Sequence, residues 1–235
     1  MTLDSCGLNI RMKIAVCGTP SVGKTRFVEN FVKQWPGYKI TNRKPEDSKL
    51  YVPESRADLH SLDKIFQEKV DEAMFYEGKA DVLHDGCLVD ALAHIFMFFL
   101  VNNKADHEIL KKYEALFNTA ISFYDIIFYI SFNNKVNQEA NGDQEMTKEE
   151  FLFYTGLDNV YGSIIDEYND GNVTLFPFDK KEGCPPLIEL AGSDSERIKM
   201  ATLYVNKDGS AYGKEDSLIA DFLGANKNPR PGFRS

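Results

Sequence analysis

Apolar runs and apolar stripes alternate along the chain. Met12-Lys-Ile-Ala-Val-Cys17 is β-prone and reads as a buried strand. Arg26–Trp35 spaces Phe27, Phe31 and Val32 like one face of a helix. Gly37–Thr41 predicts a short second strand, and polar Asn42–Leu50, with Pro45, a loop. In Ala57–Glu77 a stripe of Leu59, Leu62, Ile65, Phe66, Val70, Ala73 and Met74 predicts a helix, with Gly78 as its left-handed cap. Ala80–Asp85 follows as a second core strand, then the very apolar helix Leu88–Val101 and the amphipathic helix Lys104–Ser122. Asp125–Phe132 is the clearest strand, its near-continuous apolar run suited to cover on both faces.

The second half is less regular. Asn133–Glu150 is a polar excursion that reads equally as a mobile lid or a plain loop. Lys148–Tyr168 is helical in pattern, weakened by Gly156 and Gly162. Asn172–Phe178 predicts another strand, and Leu187–Leu190 adds a little more. Ser193 and Glu196 form a capping-box pattern ahead of a helix over Ile198–Val205. Asp208-Gly209 marks a turn, with a hairpin across it as the alternative, and Lys214–Leu223 predicts a short final helix. Strands alternating with helices predict an α/β fold: a doubly wound parallel sheet with helices on both faces, three layers in all. One domain spans 12–224, between an N-terminal extension, 1–11, and a flexible tail, 225–235.

Composition narrows the partners. The 235 residues are 43% hydrophobic and 27% charged, with a net charge of −9. A pI near 5.0 argues against a broad nucleic-acid or membrane surface. Cys6, Cys17, Cys87 and Cys184 are scattered, with no C-x-x-C pair, which fits a reducing, cytoplasmic setting. The most apolar run, Ala91–Val101, is too short to span a bilayer.

The candidate chemistry centres on Gly18-Thr19-Pro20-Ser21-Val22-Gly23-Lys24-Thr25, which reads G-x-x-x-x-G-K-[ST] between a strand and a helix. Gly18 and Gly23 let the backbone curl so that its N–H groups point at phosphate oxygens, aided by the positive end of the following helix. Lys24, expected to lack a structural partner, would reach the β/γ-phosphates of ATP, and the Thr25 hydroxyl would ligate Mg²⁺; Arg26 completes the set. Asp85 ends a core strand, where open parallel sheets bind ligands. Its carboxylate could organise Mg²⁺-bound water or take a proton from a substrate hydroxyl; the plainer alternative is a cap for the helix starting at Cys87. Asp90, in the first turns of that helix, is favoured there by the helix dipole and could hydrogen-bond a substrate.

These stretches together resemble the P-loop kinases of nucleosides and nucleotides: thymidylate-kinase-like proteins, phage deoxynucleoside monophosphate kinases, and the kinase domain that phosphorylates nicotinamide riboside. The resemblance runs from about Met12 to Val205 and rests on three parts: Gly18–Thr25, Val82–His94, and Gly192–Arg197. It implies the P-loop nucleoside triphosphate hydrolase/kinase type of sheet, ATP and Mg²⁺ as cofactors, and Gly192 and Ser193 beside the adenine. It also implies an acceptor after the first helix, near Arg43 and Arg56. Two departures stand out. Such kinases usually carry Arg after the strand-end Asp, where this chain has Gly86. Many carry lid arginines, and 133–150 contains only Lys135 and Lys148.

Three functions follow as expectations. The first is phosphoryl transfer from ATP to a small nucleotide, a nucleoside monophosphate being favoured because a phosphate would use the arginines. The second is a kinase acting on a nucleoside, or on a modified base or terminus in DNA. The third is a nucleotide-dependent binding or switch protein with no second substrate. The oligomeric state is left open.

Overall fold

The alternating side chains of β1 (Lys13–Cys17) are apolar on both faces beyond Lys13, and this strand lies at the centre of a five-stranded sheet. A computed structural model of the chain describes residues 12–41, 59–77, 79–102, 107–132, 146–170 and 184–210. After β1 come α1 (Lys24–Gln34), β2 (Lys39–Ile40), α2 (Leu59–Phe75), β3 (Val82–Asp85), α3 (Leu88–Asn102) and α4 (His107–Ala120). A 3₁₀ turn (Ile121–Phe123) leads into β4 (Ile126–Ile130), followed by α5 (Lys148–Asp170), β5 (Leu187–Leu190) and α6 (Asp194–Ala201). The strand order is β2-β3-β1-β4-β5, and the paired strands are parallel. Val16 pairs with Asp85 on one side and Phe128 on the other, so β1, β3 and β4 end together.

The period-2 alternation of the strands sorts the core into two layers. Ile14, Val16, Leu83, Ile126, Phe128 and Ile130 face Phe27, Val28 and Phe31 of α1 and Ala201 of α6. Ala15, Cys17, Ile127 and Tyr129 face the other way, toward α2, α3, α4 and α5. Cover on both faces explains the uninterrupted apolar run of β4. The three-layer α/β architecture expected from the alternation is therefore present.

α3 is apolar on all sides because it packs against α2, α4 and α5. Gly156 lies inside α5, where a Cβ would stand 3.1 Å from the terminal methyl of Met97 on α3. The missing side chain thus lets the two helices approach, which offsets its weak helix propensity. Among the described residues, no helix is long and apolar enough to cross a membrane.

Some boundaries move. α6 starts at Asp194 and ends at Ala201, earlier than the expected Ile198–Val205. Its start is fixed by Glu196, whose Oε2 accepts from Ser193 N and Ser193 Oγ at 2.7 Å each. Leu203 N and Tyr204 N then bond back to Met200 O and Ala201 O, which tightens the chain into a turn. At Asp208-Gly209, Gly209 has φ +88 and donates to Asn206 O at 2.9 Å, closing the expected turn. The last residues of the 133–150 excursion are the first turn of α5, capped by Thr147, whose Oγ1 accepts from Glu150 N at 3.2 Å. The extension 1–11, Gly78, residues 133–145 of that excursion, the strand over 172–178, the helix over 214–223 and the tail 225–235 fall outside the described residues.

Phe128 tests the layer formed by α1 and α6. It is fully buried, with its ring centroid 6.0 Å from that of Phe27 and 6.2 Å from that of Tyr204. Phe128→Ala should cost about 3–5 kcal/mol in urea unfolding. A loss below about 1 kcal/mol would show that α1 and α6 close over the vacated volume.

Candidate functional site

The loop from Gly18 to Gly23 joins β1 to α1 at the carboxyl edge of the sheet. Its backbone is left-handed at Gly18 (φ +144), Ser21 (φ +65) and Gly23 (φ +89). A Cβ on Gly18 would stand 2.3 Å from Ile130 O, so only glycine fits where the loop passes β4. The first backbone bond of α1 runs from Phe27 N to Gly23 O. The amides of Lys24, Thr25 and Arg26 thus precede the helical ladder, where helix N-termini hold anions.

Lys24 does have structural partners, contrary to expectation. Its Nζ donates to Gly18 O at 2.5 Å and Thr19 O at 2.9 Å, and lies 3.7 Å from Asp90 Oδ1. The loop's own carbonyls satisfy the ammonium. Thr19 and Val22 are buried, Pro20 is half-buried and Ser21 is exposed at the loop's crest.

Thr25 and Asp85 meet. Thr25 Oγ1 donates to Asp85 Oδ2 at 2.8 Å, joining the start of α1 to the end of β3. Both side chains offer hard oxygens, which suits Mg²⁺. Among the described residues no three His, Cys, Asp or Glu side chains converge as a metal cage. A bound Mg²⁺ would thus take its other ligands from phosphates and water, its usual habit. The two amides after Asp85 have other acceptors: Gly86 N donates to Val16 O at 3.0 Å, and Cys87 N to Asp90 Oδ2 at 2.6 Å.

Asp90 is buried, 2% exposed. Its Oδ1 accepts from Gly18 N at 3.1 Å and from the Tyr161 hydroxyl at 2.7 Å. With Cys87 N on Oδ2, one carboxylate holds the loop, the β3–α3 turn and α5. Tyr161 was not singled out in the sequence, where it is one of eleven tyrosines.

A second set of contacts comes from α6. Arg26 forms an ion pair with Asp194. Arg197, 1% exposed, donates from Nη1 to Val22 O at 2.8 Å, and burial lowers its pKa. These bonds bring Gly192 (φ +86) and Ser193 to the side of the loop that borders α1. Arg43 and Arg56 lie outside the described residues.

No family model matches the sequence, and no curated protein matches it either. Solved structures match its shape. Deoxyadenosine kinase from M. mycoides with bound dATP superposes with a TM-score of 0.57 at 16% identity, covering 82% of this chain and 97% of that one. Thymidylate kinase from Candida albicans gives 0.58 at 10% identity, covering 88% and 96%. NadR in complex with NR gives 0.52 at 12% identity, covering 83% of this chain but 52% of NadR. The fold is that of the P-loop kinases. At these identities the likeness is one of fold.

One further cluster borders this site. Lys69 Nζ of α2 lies 3.0 Å from Glu72 Oε2, and Glu72 Oε1 lies 3.2 Å from His84 Nδ1. Burial raises the Glu72 pKa, but the His84 hydrogen bond and the Lys69 charge outweigh it and hold the carboxyl at about 2. His94, one turn beyond Asp90 and bonded to its carbonyl at 2.8 Å, is pushed by burial down to about 4.

Asp90→Asn should cost about 1–3 kcal/mol, because one amide end must face a donor that the carboxylate satisfied. Chemical unfolding measures it, and a change below about 0.5 kcal/mol would show that the brace needs only one oxygen. Acid should also destabilise the protein in two stages. Both His94 and Glu72 bind protons more readily unfolded than folded, so their contribution is complete above about pH 6.5. It falls as pH drops, through His94 between about 6.5 and 4 and through Glu72 between about 4.5 and 2. Glu72→Gln should flatten the lower stage only; a urea midpoint constant from pH 7 to pH 4 would contradict the His94 assignment.

Proposed function

We propose that the chain is a phosphotransferase that moves the γ-phosphoryl group of ATP to a nucleoside monophosphate. The observation that carries this reading is the Thr25–Asp85 contact at the mouth of the phosphate loop. It sets a hydroxyl and a carboxylate together beside the amides of a helix N-terminus, the set needed to hold a metal-bound triphosphate.

Each residue has a role in this reading. The backbone of Gly18–Gly23 and the first amides of α1 cradle the phosphates. Lys24 exchanges loop carbonyls for phosphate oxygens. Thr25 and Asp85 hold Mg²⁺, which when bound supplies charge neutralisation on the phosphates. Asp85 also orients the acceptor oxygen, which attacks as a phosphate anion; only a hydroxyl acceptor would give it a proton. Gly192 and Ser193 border the base, on the flank secured by Arg26 and Asp194. Arg43 and Arg56 are proposed for the acceptor phosphate. Catalysis is positioning and charge stabilisation, without a covalent intermediate.

A nucleoside acceptor is the second reading. It is supported by the strand-end carboxylate, which suits proton removal from a hydroxyl, and by a deoxyadenosine kinase among the structures of like fold. Incubation with radiolabelled ATP, Mg²⁺ and a panel of nucleosides, nucleoside monophosphates and duplex DNA separates the readings. Transfer to monophosphates is expected. Transfer to nucleosides alone would establish the second reading, and ATP binding with no transfer would point to a switch protein. Asp85→Asn keeps size and capping ability but loses charge, so the rate should fall by about 10²-fold or more with little change in Tm. A loss of about tenfold or less at every Mg²⁺ concentration would return Asp85 to a capping role.

A further inference from the structure

Lys69 sits on the buried face of α2, among Leu62, Ile65, Phe66, Val70 and Ala73. An ammonium in such surroundings costs several kcal/mol in lost hydration, and a methionine would fill the same volume without that cost. The pairing with Glu72 compensates part of it. The position of the charge is more informative than its pairing. A Cβ on Gly86 would stand 3.9 Å from Lys69 Nζ and 3.7 Å from Asp90 Oδ2. Gly86 follows Asp85 directly and has φ +92, so the chain there is both bare and turned out of the strand path. Any larger residue at 86 would begin in the space between the ammonium and the Asp90 carboxylate.

The sheet order gives this cation a side. β3 and β5 lie on opposite sides of β1. Gly192 and Ser193 follow β5, on the flank given above to the base of ATP. Lys69 borders the end of β3, on the opposite flank, where the proposed reading puts the acceptor. Lys24 already serves the donor phosphates.

We infer that Lys69 binds the phosphate of the acceptor, its ammonium passing over the bare α-carbon of Gly86. This rests on the reading of the chain as a monophosphate kinase. Lysine supplies a compact charge with three rotatable donors, which suits a phosphate approached from one side. Glu72 aims the ammonium, and His84 in turn holds Glu72. Lys69 touches substrate in this assignment, whereas Glu72 and His84 act through it.

Titration calorimetry on the full chain tests the assignment, using ADP·Mg²⁺, each common nucleoside monophosphate and the matching nucleosides. Wild type should bind its preferred monophosphate more tightly than the matching nucleoside. Lys69→Met should weaken the monophosphate by at least about tenfold and bring it level with the nucleoside, leaving ADP·Mg²⁺ within about threefold. Lys69→Arg should restore most of the preference. Lys69→Gln serves for the same comparison if the methionine variant does not fold. An unchanged preference in the neutral variants, or an equal loss for ADP·Mg²⁺, would overturn the assignment. Wild type that binds ADP·Mg²⁺ but does not prefer the monophosphate also overturns it, with nucleotide binding intact. Wild type that binds no ADP·Mg²⁺ removes the underlying kinase reading as well.

Discussion

The carboxylate of Asp90 is the contact on which the site depends. It accepts from Gly18 N, Cys87 N and the Tyr161 hydroxyl, so it joins the phosphate loop, the β3–α3 turn and α5. A loop with left-handed backbone at Gly18, Ser21 and Gly23 is entropically expensive to hold. Gly18 N ties it to a buried acid that Cys87 N and Tyr161 fix in turn, so it is held before any ligand arrives, as in preorganised sites. The same acid lies 3.7 Å from Lys24 and stabilises the charge that the loop carbonyls solvate.

The loop is held from both faces of the sheet. Asp90 and Tyr161 reach it from the layer that contains α3 and α5. Arg197 reaches it from the α6 layer, bonding Val22 O from a position almost without solvent. A buried guanidinium is costly unless its donors find acceptors and its charge a partner. Val22 O accepts from Nη1, though Nε finds no acceptor among the described residues, and Asp194, 3.7 Å from Nη1, supplies the charge partner. Asp194 also pairs with Arg26, which links the start of α6 to the first turn of α1 beside the Gly192-Ser193 corner.

What was legible in the sequence follows from how local each signal is. Gly18 and Gly23 announced a left-handed loop between strand and helix because spacing within eight residues dictates its geometry. Asp85 was legible from its place at a strand end, and its meeting with Thr25 gives that placement a contact. The capping pattern of Ser193 and Glu196 was also local and correct, while the far end of α6 was set by turn bonds that periodicity does not encode. Arg197, Tyr161 and Lys69 were missed as site residues because their partners are remote. Arg197 bonds a residue 175 positions away and Tyr161 one 71 away. For Lys69 one clue existed: a lysine within an apolar stripe, between Phe66 and Val70, opposes the pattern and calls for a reason.

That reason connects to the charge of the whole chain. A net charge of −9 repels anionic substrates, although salt screens it beyond about 8 Å. On the proposed reading, nucleotide binding comes from short-range donors that are already in place. Each cation near the loop is held by an acid: Lys24 near Asp90, Arg26 with Asp194, Lys69 with Glu72. An arriving phosphate would thus exchange partners with aligned side chains instead of ordering loose ones. Immobilising a flexible side chain costs about 0.5–1.5 kcal/mol at binding, and these pairings meet that cost during folding. The acids paired with these cations are, on this argument, what keeps them in position to bind anions.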